Sequence, residues 1–449
     1  MDETKLIEAL TNLPEDANES LVSNNFIASI FLEALGFSNT EIIPQYSTGQ
    51  GPVDFATRRN RDRDVFITTQ TNPFLLVELK GRNVNLSSGS RSYISVVKQL
   101  KRYLLGNQCK SAKWGLITNA NHIQLFRKHG KVIYPATQVL EITPETIVNI
   151  TQIIRRKIAK TKRALTVAVY NNKGGVGKTT TTVNLAGALT LKGKKVLVVD
   201  FDPNQQDLTN SLGIDSEKSS LSHNLFNKNN NPDLNLVCEY IKHSPKTNKE
   251  YQFDVIPADS KLVDLGEDKL RQQVKLNRLS QILEPFKNKY DYILIDAPPN
   301  WRFYSQSAVF AADVVLIPTK PNNIFSLENA GIAIAKFIPE TQKARKDGCP
   351  VALPIFFNGE KISDSQKKVA NKAIEKIIKN HRQTTGNSFD LLPYFFPKHT
   401  KATPNPTVFE IQPLAHIASA SFERLPASYK YKRVRDEYNN LAKEYFLNE

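Results

Sequence analysis

Lys173-Gly174-Gly175-Val176-Gly177-Lys178-Thr179-Thr180 is the stretch that decides the fold. It follows an apolar run, Leu165–Tyr170, and precedes a helical pattern, Thr179–Leu191, that stops before Gly193. The glycines let successive backbone N–H groups turn toward a polyphosphate, and the N-terminus of a following helix adds partial positive charge. Lys178 can reach the outer phosphates, and the Thr179 hydroxyl can ligate Mg²⁺. The stretch therefore predicts a nucleoside triphosphate site between a strand and a helix.

Outward from this loop, the chain alternates short apolar runs with helical patterns. The runs are rich in β-branched residues and apolar on consecutive positions, which is typical of parallel strands buried on both faces. We predict a doubly wound α/β domain with a mainly parallel sheet, of the P-loop NTPase class, over residues 164–449. Its last helix is expected over Lys432–Phe446, with one apolar face. The predicted strands are Leu165–Tyr170, Lys195–Asp200, Tyr292–Asp296, Val314–Pro318 and Val351–Phe357.

Three acidic residues stand at the ends of two of these strands. Asp296 is placed like a Walker B acid, which holds Mg²⁺ through water. Asp200 and Asp202 end the strand that follows the phosphate loop, where an acid can orient or deprotonate an attacking water. One such acid alone could merely cap a strand end in solvent. Three that converge on one phosphate loop favour phosphoryl transfer.

An additional lysine, Lys173, stands at the start of the loop and indicates one group among the P-loop NTPases. Residues 165–449 resemble the ParA/MinD group of deviant-Walker ATPases. The resemblance implies ATP and Mg²⁺ as ligands, with the metal at Thr179 and Asp296. It also implies that Lys173 reaches the partner's ATP across a nucleotide-sandwich dimer, that Asp202 is the hydrolytic acid beside Lys178, and that Asn358 reads adenine. The segments that carry it are Lys173–Thr180, Asp200-Phe201-Asp202-Pro203, Val255–Ala258, Ile295–Pro299 and Val315–Pro318, with a departure at Asn204-Gln205-Gln206 where many relatives have Gln-Gly.

The net charge and the C-terminal sequence indicate which binding partners to expect. The net charge of +16 favours polyanions. The chain ends with the acidic tip Lys443–Glu449, unlike the basic apolar membrane helix of MinD-like members, so we expect no membrane partner. The resemblance then implies nonspecific DNA, a centromere-binding ParB-like partner, a homodimer on ATP binding, and a cytoplasmic, nucleoid-associated location. Basic residues suited to DNA are Lys398, Lys401, Arg424, Lys430, Lys432, Arg433 and Arg435.

The N-terminal part carries a second constellation. Glu78 and Lys80 are two apart on a predicted strand, so they share a face, and Asp54 is expected on a neighbouring strand. Together they could bind Mg²⁺ and place a lysine beside an attacked phosphate. Gln99 lies one helical turn before Tyr103. This order resembles the smaller α/β restriction-endonuclease-like (PD-(D/E)xK) fold, particularly the N-terminal domain of type I restriction motor subunits, in which a helical glutamate, here Glu19 or Glu33, often joins the site.

We therefore predict a restriction-endonuclease-like domain at residues 1–150, a basic helical linker at 151–163 and a ParA-like ATPase domain at 164–449. The favoured function is ATP-dependent DNA partitioning. The alternative is an ATP-gated, Mg²⁺-dependent endonuclease in defence against foreign DNA. In a third hypothesis the N-terminal domain has lost cleavage and supplies DNA or partner specificity.

Overall fold

The structure, a computed structural model, describes residues 2–227, 233–244, 249–263, 265–385, 389–400 and 402–448. The chain forms two units. The first is Met1–Thr161 with Lys346–Gly348 and Phe446–Glu449, and the second is Lys162–Arg345 with Cys349–Tyr445. Within the described ranges, each helix is too short or too polar to cross a bilayer.

The first unit is built on a mixed sheet of order β1-β2-β3-β4-β5-β6, with β7 paired to β5. Only β3 and β4 pair in parallel within this sheet as described, and helix α5 connects them. The strands are β1 Ile42–Ser47, β2 Pro52–Thr57, β3 Leu75–Leu79, β4 Trp114–Thr118, β5 His122–His129, β6 Val132–Pro135 and β7 Leu140–Glu141. The helices are α1 Glu3–Thr11, α2 Glu19–Val22, α3 Leu32–Ala34, α4 Phe66–Thr69, α5 Arg91–Leu104 and α6 Ile147–Ala159, with a π-helical segment at Ser23–Phe31.

Two apolar cores cover the two faces of this sheet. On one face α5 approaches so closely that a Cβ on Gly115 would lie 2.8 Å from the Leu104 side chain. On the other face the π-helical segment and α6 pack through residues such as Phe26 and Ile154. Residues 151–163, predicted as a linker, thus begin inside α6, whose apolar side is part of the core of the first unit.

The second unit confirms the predicted α/β fold. Its main sheet has the order β10-β11-β9-β12-β8-β13-β15, and each described pair is parallel except β10–β11. The strands are β8 Leu165–Val169, β9 Val196–Asp200, β10 Cys238–Ser244, β11 Lys249–Ile256, β12 Tyr292–Asp296, β13 Val314–Leu316, β14 Pro318–Thr319, β15 Val351–Ala352, β16 Phe356–Asn358 and β17 Phe409–Ile411. The helices are α7 Lys178–Leu191, α8 Asp207–Leu212, α9 Leu221–Phe226, α10 Glu267–Gln273, α11 Arg278–Leu283, α12 Phe303–Ala311, α13 Ile324–Ile332, α14 Ile338–Arg345, α15 Asp364–Thr385, α16 Leu392–Phe395, α17 His416–Phe422, α18 Ala427–Lys430 and α19 Lys432–Tyr445.

Two strand predictions were wrong in their extent. Val314–Pro318 is divided into β13 and β14, and Val351–Phe357 into β15 and β16. The first member of each pair joins the main sheet, whereas the second joins a separate parallel sheet, β14-β16-β17. Pro318 and Pro354 stand at these divisions, and proline has no N–H to continue a sheet ladder.

The C-terminal helices support the helix that follows the phosphate loop. The predicted apolar face of α19 is confirmed, since Val434, Tyr438, Leu441 and Tyr445 are buried. Helix α18 lies so close to α7 that a Cβ on Gly187 would be 2.3 Å from the Ser428 hydroxyl oxygen. Helix α18 therefore packs directly against the helix that follows the phosphate loop.

Candidate functional site

The phosphate loop adopts the backbone that its glycines predict. Gly175 and Gly177 have φ angles of +74° and +84°, in the left-handed region that L side chains disfavour. A Cβ on Gly177 would lie 2.2 Å from the Asn358 amide nitrogen, whereas Gly174 and Gly175 face open space. Helix α7 begins directly afterwards at Lys178. The loop is therefore an open cradle at a helix N-terminus, suited to a polyphosphate.

Lys178 is nearly buried inside this loop, with 8% of its surface exposed. Its ammonium lies 3.3 Å from the backbone oxygen of Lys173. Burial lowers the pKa of Lys178, although Asp296 and Asp202 oppose the shift. Val176 is buried beneath the loop, while Lys173, Thr179 and Thr180 are only partly buried. Both lysines are thus on the loop, but only Lys178 is buried among the acids.

Thr179 and Asp296 meet at the position expected of a magnesium site. The Thr179 hydroxyl donates a hydrogen bond of 2.6 Å to Asp296 Oδ2. Asp296 is 2% exposed, and its Oδ1 has no hydrogen-bond partner within the described residues. Burial raises the pKa of Asp296 well above its usual value, and Asp200 adds to the shift. A buried carboxylate oxygen beside a threonine hydroxyl fits Mg²⁺, a cation that takes oxygen ligands.

The other two acids differ in their surroundings. Asp200 is buried and accepts hydrogen bonds from the N–H and hydroxyl of Thr209, and burial raises its pKa to about 6. Asp202 accepts bonds of 3.2 Å from the N–H groups of Asn204 and Gln205. Burial raises the pKa of Asp202 as well, against the effect of these bonds and of Lys178. Asp200 thus anchors α8, while Asp202 is held by backbone donors near Lys178. Asn204 and Gln205, in the segment that departs from the family pattern, therefore still supply main-chain donors to the Asp202 carboxylate.

Asn358 contacts the phosphate loop. Its amide nitrogen lies 3.0 Å from Val176 O, 3.2 Å from Gly177 O and 3.2 Å from Thr181 Oγ1. Asn171, which sequence reasoning missed, binds the start of the same loop. Its amide donates to Pro318 O and Ser326 O, and its oxygen accepts from the Lys173 N–H. An asparagine between a buried strand and a glycine-rich loop was the available signal.

In the first unit, Asp54, Glu78 and Lys80 converge as predicted. The Lys80 ammonium lies 2.8 Å from Glu78 Oε1 and 3.4 Å from Glu19 Oε2, so Glu19 rather than Glu33 joins the cluster. Asp54 Oδ2 accepts a bond of 2.6 Å from the Leu79 N–H. Glu78 is 2% exposed, and burial raises its pKa to about 7, with further increments from Asp54 and Glu19 and an opposing effect of Lys80.

Gln99 pairs within its own helix. Its amide donates a bond of 3.0 Å to the hydroxyl of Tyr103. Across the described ranges, no three His, Cys, Asp or Glu side chains are arranged to hold a metal ion by themselves. Metal binding in either unit would therefore draw on hydroxyl, water or phosphate oxygens besides the carboxylates. Of the basic residues named for DNA, Lys401 lies outside the described residues.

Known proteins match the second unit. A family model described as an AAA domain matches residues 164–348, which include the phosphate loop and the three acids. The chromosome-partitioning ATPase Soj of Treponema pallidum is 31% identical over 47% of this chain and 77% of that protein. The sporulation initiation inhibitor protein Soj of Bacillus subtilis is 39% identical over 34% of this chain and 57% of that protein. The chain spans about half the length of the first curated relatives it matches.

A solved structure of a Cyanothece McdA variant in complex with ATP is 20% identical, with 63% of this chain and 96% of that chain covered at a TM-score of 0.44. The N-terminal unit lies outside the matched family model, apart from residues 346–348. The relationship therefore rests on the sequence identity to Soj and on the loop and acids described above, and by these the chain belongs to the ParA/MinD-type family of P-loop ATPases.

Proposed function

We propose that the second unit is a partition-type ATPase, which binds ATP with Mg²⁺, closes as a homodimer around it, binds DNA nonspecifically in that state and hydrolyses ATP as a switch. The Thr179–Asp296 contact carries this proposal, together with the Asp296 Oδ1 atom, which has no hydrogen-bond partner in the described part of the chain. Mg²⁺ at these residues would neutralise charge that develops on the transferred phosphoryl group. The name of the chromosome-partitioning ATPase Soj of Treponema pallidum supports the partition role.

The side chains divide the work of hydrolysis. The loop and Lys178 bind and orient the phosphates. Asp202, held by two backbone N–H groups, orients the attacking water and accepts its proton, a role that a raised pKa favours. Lys173 makes no side-chain hydrogen bond or ion pair within the described part of the chain. This lysine is thus available to the partner's nucleotide in a homodimer.

DNA binding and the partner protein extend this proposal. Lys432 and Arg433 are exposed on the first turn of α19, and the net charge of the chain is +16. Such groups attract DNA phosphates without reading sequence. A centromere-binding ParB-like protein would stimulate hydrolysis and release the ATPase from nucleoid DNA.

Two variants test the mechanism. Lys178→Ala should abolish ATP binding, whereas Asp202→Ala should bind ATP and dimerise but stop turnover. Asp215→Ala, an exposed acid of the same unit, is the control. Nucleotide binding, dimer mass and phosphate release would be measured for each protein. Parental turnover in Asp202→Ala would exclude the proposed mechanism.

A second candidate function belongs to the first unit. The burial of Glu78 beside Lys80, Asp54 and Glu19 favours a metal-dependent nuclease of the restriction-endonuclease-like kind, gated by the ATPase. Asp54 and Glu78 would hold the metal ion, whose chemistry is to activate water and stabilise the attacked phosphate. Lys80 would neutralise charge on that phosphate. Asp54, Glu78, Lys80 and Gln99 remain the proposed nuclease residues.

Cleavage of supercoiled plasmid tests this candidate. The wild type should nick DNA with Mg²⁺ or Mn²⁺, more so with ATP, and both Glu78→Gln and Lys80→Ala should lose the activity. Glu33→Gln, an exposed helical glutamate of the same unit, should keep it. A DNA shift without nicking in every protein would leave the first unit as a nuclease-like adaptor that supplies specificity to the ATPase.

A further inference from the structure

A groove of about 530 Å³ lies beside the Asp54 carboxylate in the first unit. One wall is formed by α2 and the π-helical segment, which contribute Ser20 and Asn24. The other is formed by β1 and α4, which contribute Gln45 and Ile67. Its volume lies within the range of small-molecule sites, roughly 300–1,000 Å³. The groove can therefore hold one ligand group of nucleotide size next to the proposed nuclease residues.

The lining of the groove disfavours negatively charged ligand groups. Asp54 is its one ionisable residue, and neither Lys nor Arg is among the lining side chains that the structure describes. A phosphate group would thus find no cationic side chain in the lining and would face the Asp54 carboxylate. The amides of Asn24, Asn39 and Gln45 can both donate and accept hydrogen bonds. Ile67, which is 46% exposed, adds an apolar surface. A flat, uncharged group with hydrogen-bonding edges fits this chemistry.

The backbone departs from regular structure on both walls. Gln45 has a φ of +47°, in the left-handed region, although the β1–β2 register continues unbroken from Pro44–Phe55 to Tyr46–Val53. Its amide then reaches Asp54 Oδ1 at 3.3 Å. On the opposite wall, Ser23–Phe31 is π-helical. Both irregularities cost free energy and are frequent at functional sites. The side chains that they aim into the groove are thus candidates for ligand recognition.

We propose that this groove takes a nucleobase of a nucleic-acid strand whose sugar–phosphate backbone runs past Asp54, Glu78 and Lys80. This inference rests on the proposed nuclease function of the first unit. Asn24 and Gln45 bind the edge of the base, and Ile67 contacts its face. Arg61 and Arg63, exposed in the loop that leads into α4, supply positive charge for neighbouring phosphates. The substrate is then a strand with an unpaired base, since a stacked base pair presents no free base to a groove.

The test compares two single strands that carry the same phosphates. A short labelled oligothymidylate and an abasic strand of equal length are bound to the full chain, without nucleotide and with EDTA, so that neither ATP nor cleavage contributes. Their ratio of affinities isolates the bases from the backbone. The wild type should prefer the intact strand by about tenfold, which corresponds to about 1.4 kcal/mol for the contacts to the base. A wild-type ratio near one would overturn the proposal.

The variants are chosen to preserve the fold. Gln45→Gly removes the amide at a left-handed position that glycine tolerates, and Asn24→Ala truncates an exposed side chain. Together they should bring the ratio close to one. Gln70→Gly is the matched control, because Gln70 has a φ of +49° in the same unit but does not line the groove. An unchanged ratio in the double variant would refute the assignment of the groove.

Two further arms separate the alternatives. Free thymidine that displaces the strand at equal affinity would identify a small-molecule site and overturn the strand as ligand. Glu33→Gln should keep the wild-type ratio of affinities, since Glu33 is exposed in the same unit and lies outside the groove lining. A groove-dependent ratio in a protein that never nicks plasmid would support the base site and exclude the nuclease. If the protein nicks plasmid but the groove variants leave the ratio of affinities unchanged, the nuclease is supported and the base site is excluded.

Discussion

At the scale of the residue, Glu78 makes the stability of the first unit depend on pH. Burial raises the pKa of Glu78 to about 7 in the folded protein, whereas the ordinary pKa of a glutamate side chain is 4.5. Between these values the folded state binds more protons, so the free energy of unfolding falls as pH rises. Glu78→Gln cannot ionise. Between about pH 4.5 and pH 8, the free energy of unfolding of this variant should rise by up to about 3 kcal/mol relative to that of the wild type.

Glu41 provides the control for this measurement. It is also buried, and burial alone would raise its pKa, but hydrogen bonds from the Asn60 and Ser38 N–H groups and from Arg59 lower it overall. Its contribution to stability is present above its unfolded pKa and is lost as pH falls. Glu41→Gln should therefore lose stability near neutral pH. Denaturant unfolding across a range of pH gives the difference in free energy of unfolding between each variant and the wild type. As pH rises, this difference should increase for Glu78→Gln and decrease for Glu41→Gln. The same trend in both variants would contradict the two pKa directions.

The role of Asn358 can be decided by nucleotide selectivity. Its described contacts are with the phosphate loop, whereas the family resemblance predicts that it reads adenine. Asn358→Ala leaves two loop carbonyls without this donor, at a cost of about 1–3 kcal/mol. We expect ATP and GTP binding to weaken alike, by about tenfold or more. Weaker ATP binding with unchanged GTP binding, measured by titration calorimetry, would instead support adenine recognition.

At the scale of the element, α19 is expected to stabilise the nucleotide site through α7. Leu441 is fully buried on the apolar face of α19. Leu441→Ala should reduce the free energy of unfolding of the second unit by about 2–5 kcal/mol. Asn440→Ala, exposed on the same helix, should change it by less than about 0.5 kcal/mol. ATP should recover part of the lost stability, because ligands that bind only the folded state stabilise it. Thermal unfolding with and without ATP would measure both effects.

Local patterns made the phosphate loop and its helix predictable. Thr179 and Asp296 are 117 residues apart, yet their meeting was also predictable, because the carboxyl ends of parallel strands share one edge of a sheet. Other features depend on tertiary contacts that one sequence does not specify. The polar hairpin β10–β11 gave no apolar signal, and the left-handed Gln45 has no local signature. Only the packing of α2 shows that Glu19, rather than Glu33, meets Lys80.

At the scale of the molecule, only some of the basic side chains named for DNA binding have an acidic or backbone partner in the described structure. Lys398 lies 3.1 Å from Glu444, and Lys430 contacts Glu423 at 2.5 Å, so part of their charge is already balanced. Arg435 donates to the backbone oxygens of Ser428 and Tyr429. Lys432 and Arg433 are exposed without such partners among the described residues. The net charge of +16 is thus an incomplete guide to where DNA phosphates bind.

Salt dependence would locate the DNA-binding charges. Each phosphate contact contributes about one unit to the slope of log affinity against log salt. Lys432→Gln and Arg433→Gln should each reduce the slope by about one unit, uniformly across DNA sequences. Lys398→Gln and Lys430→Gln, which remove ion-paired lysines of the same unit, should reduce it less. Anisotropy titrations of duplex DNA with ATP, over a range of salt concentrations, would give the four slopes. Equal reductions in all four would show that net charge alone attracts DNA, without a surface on α19.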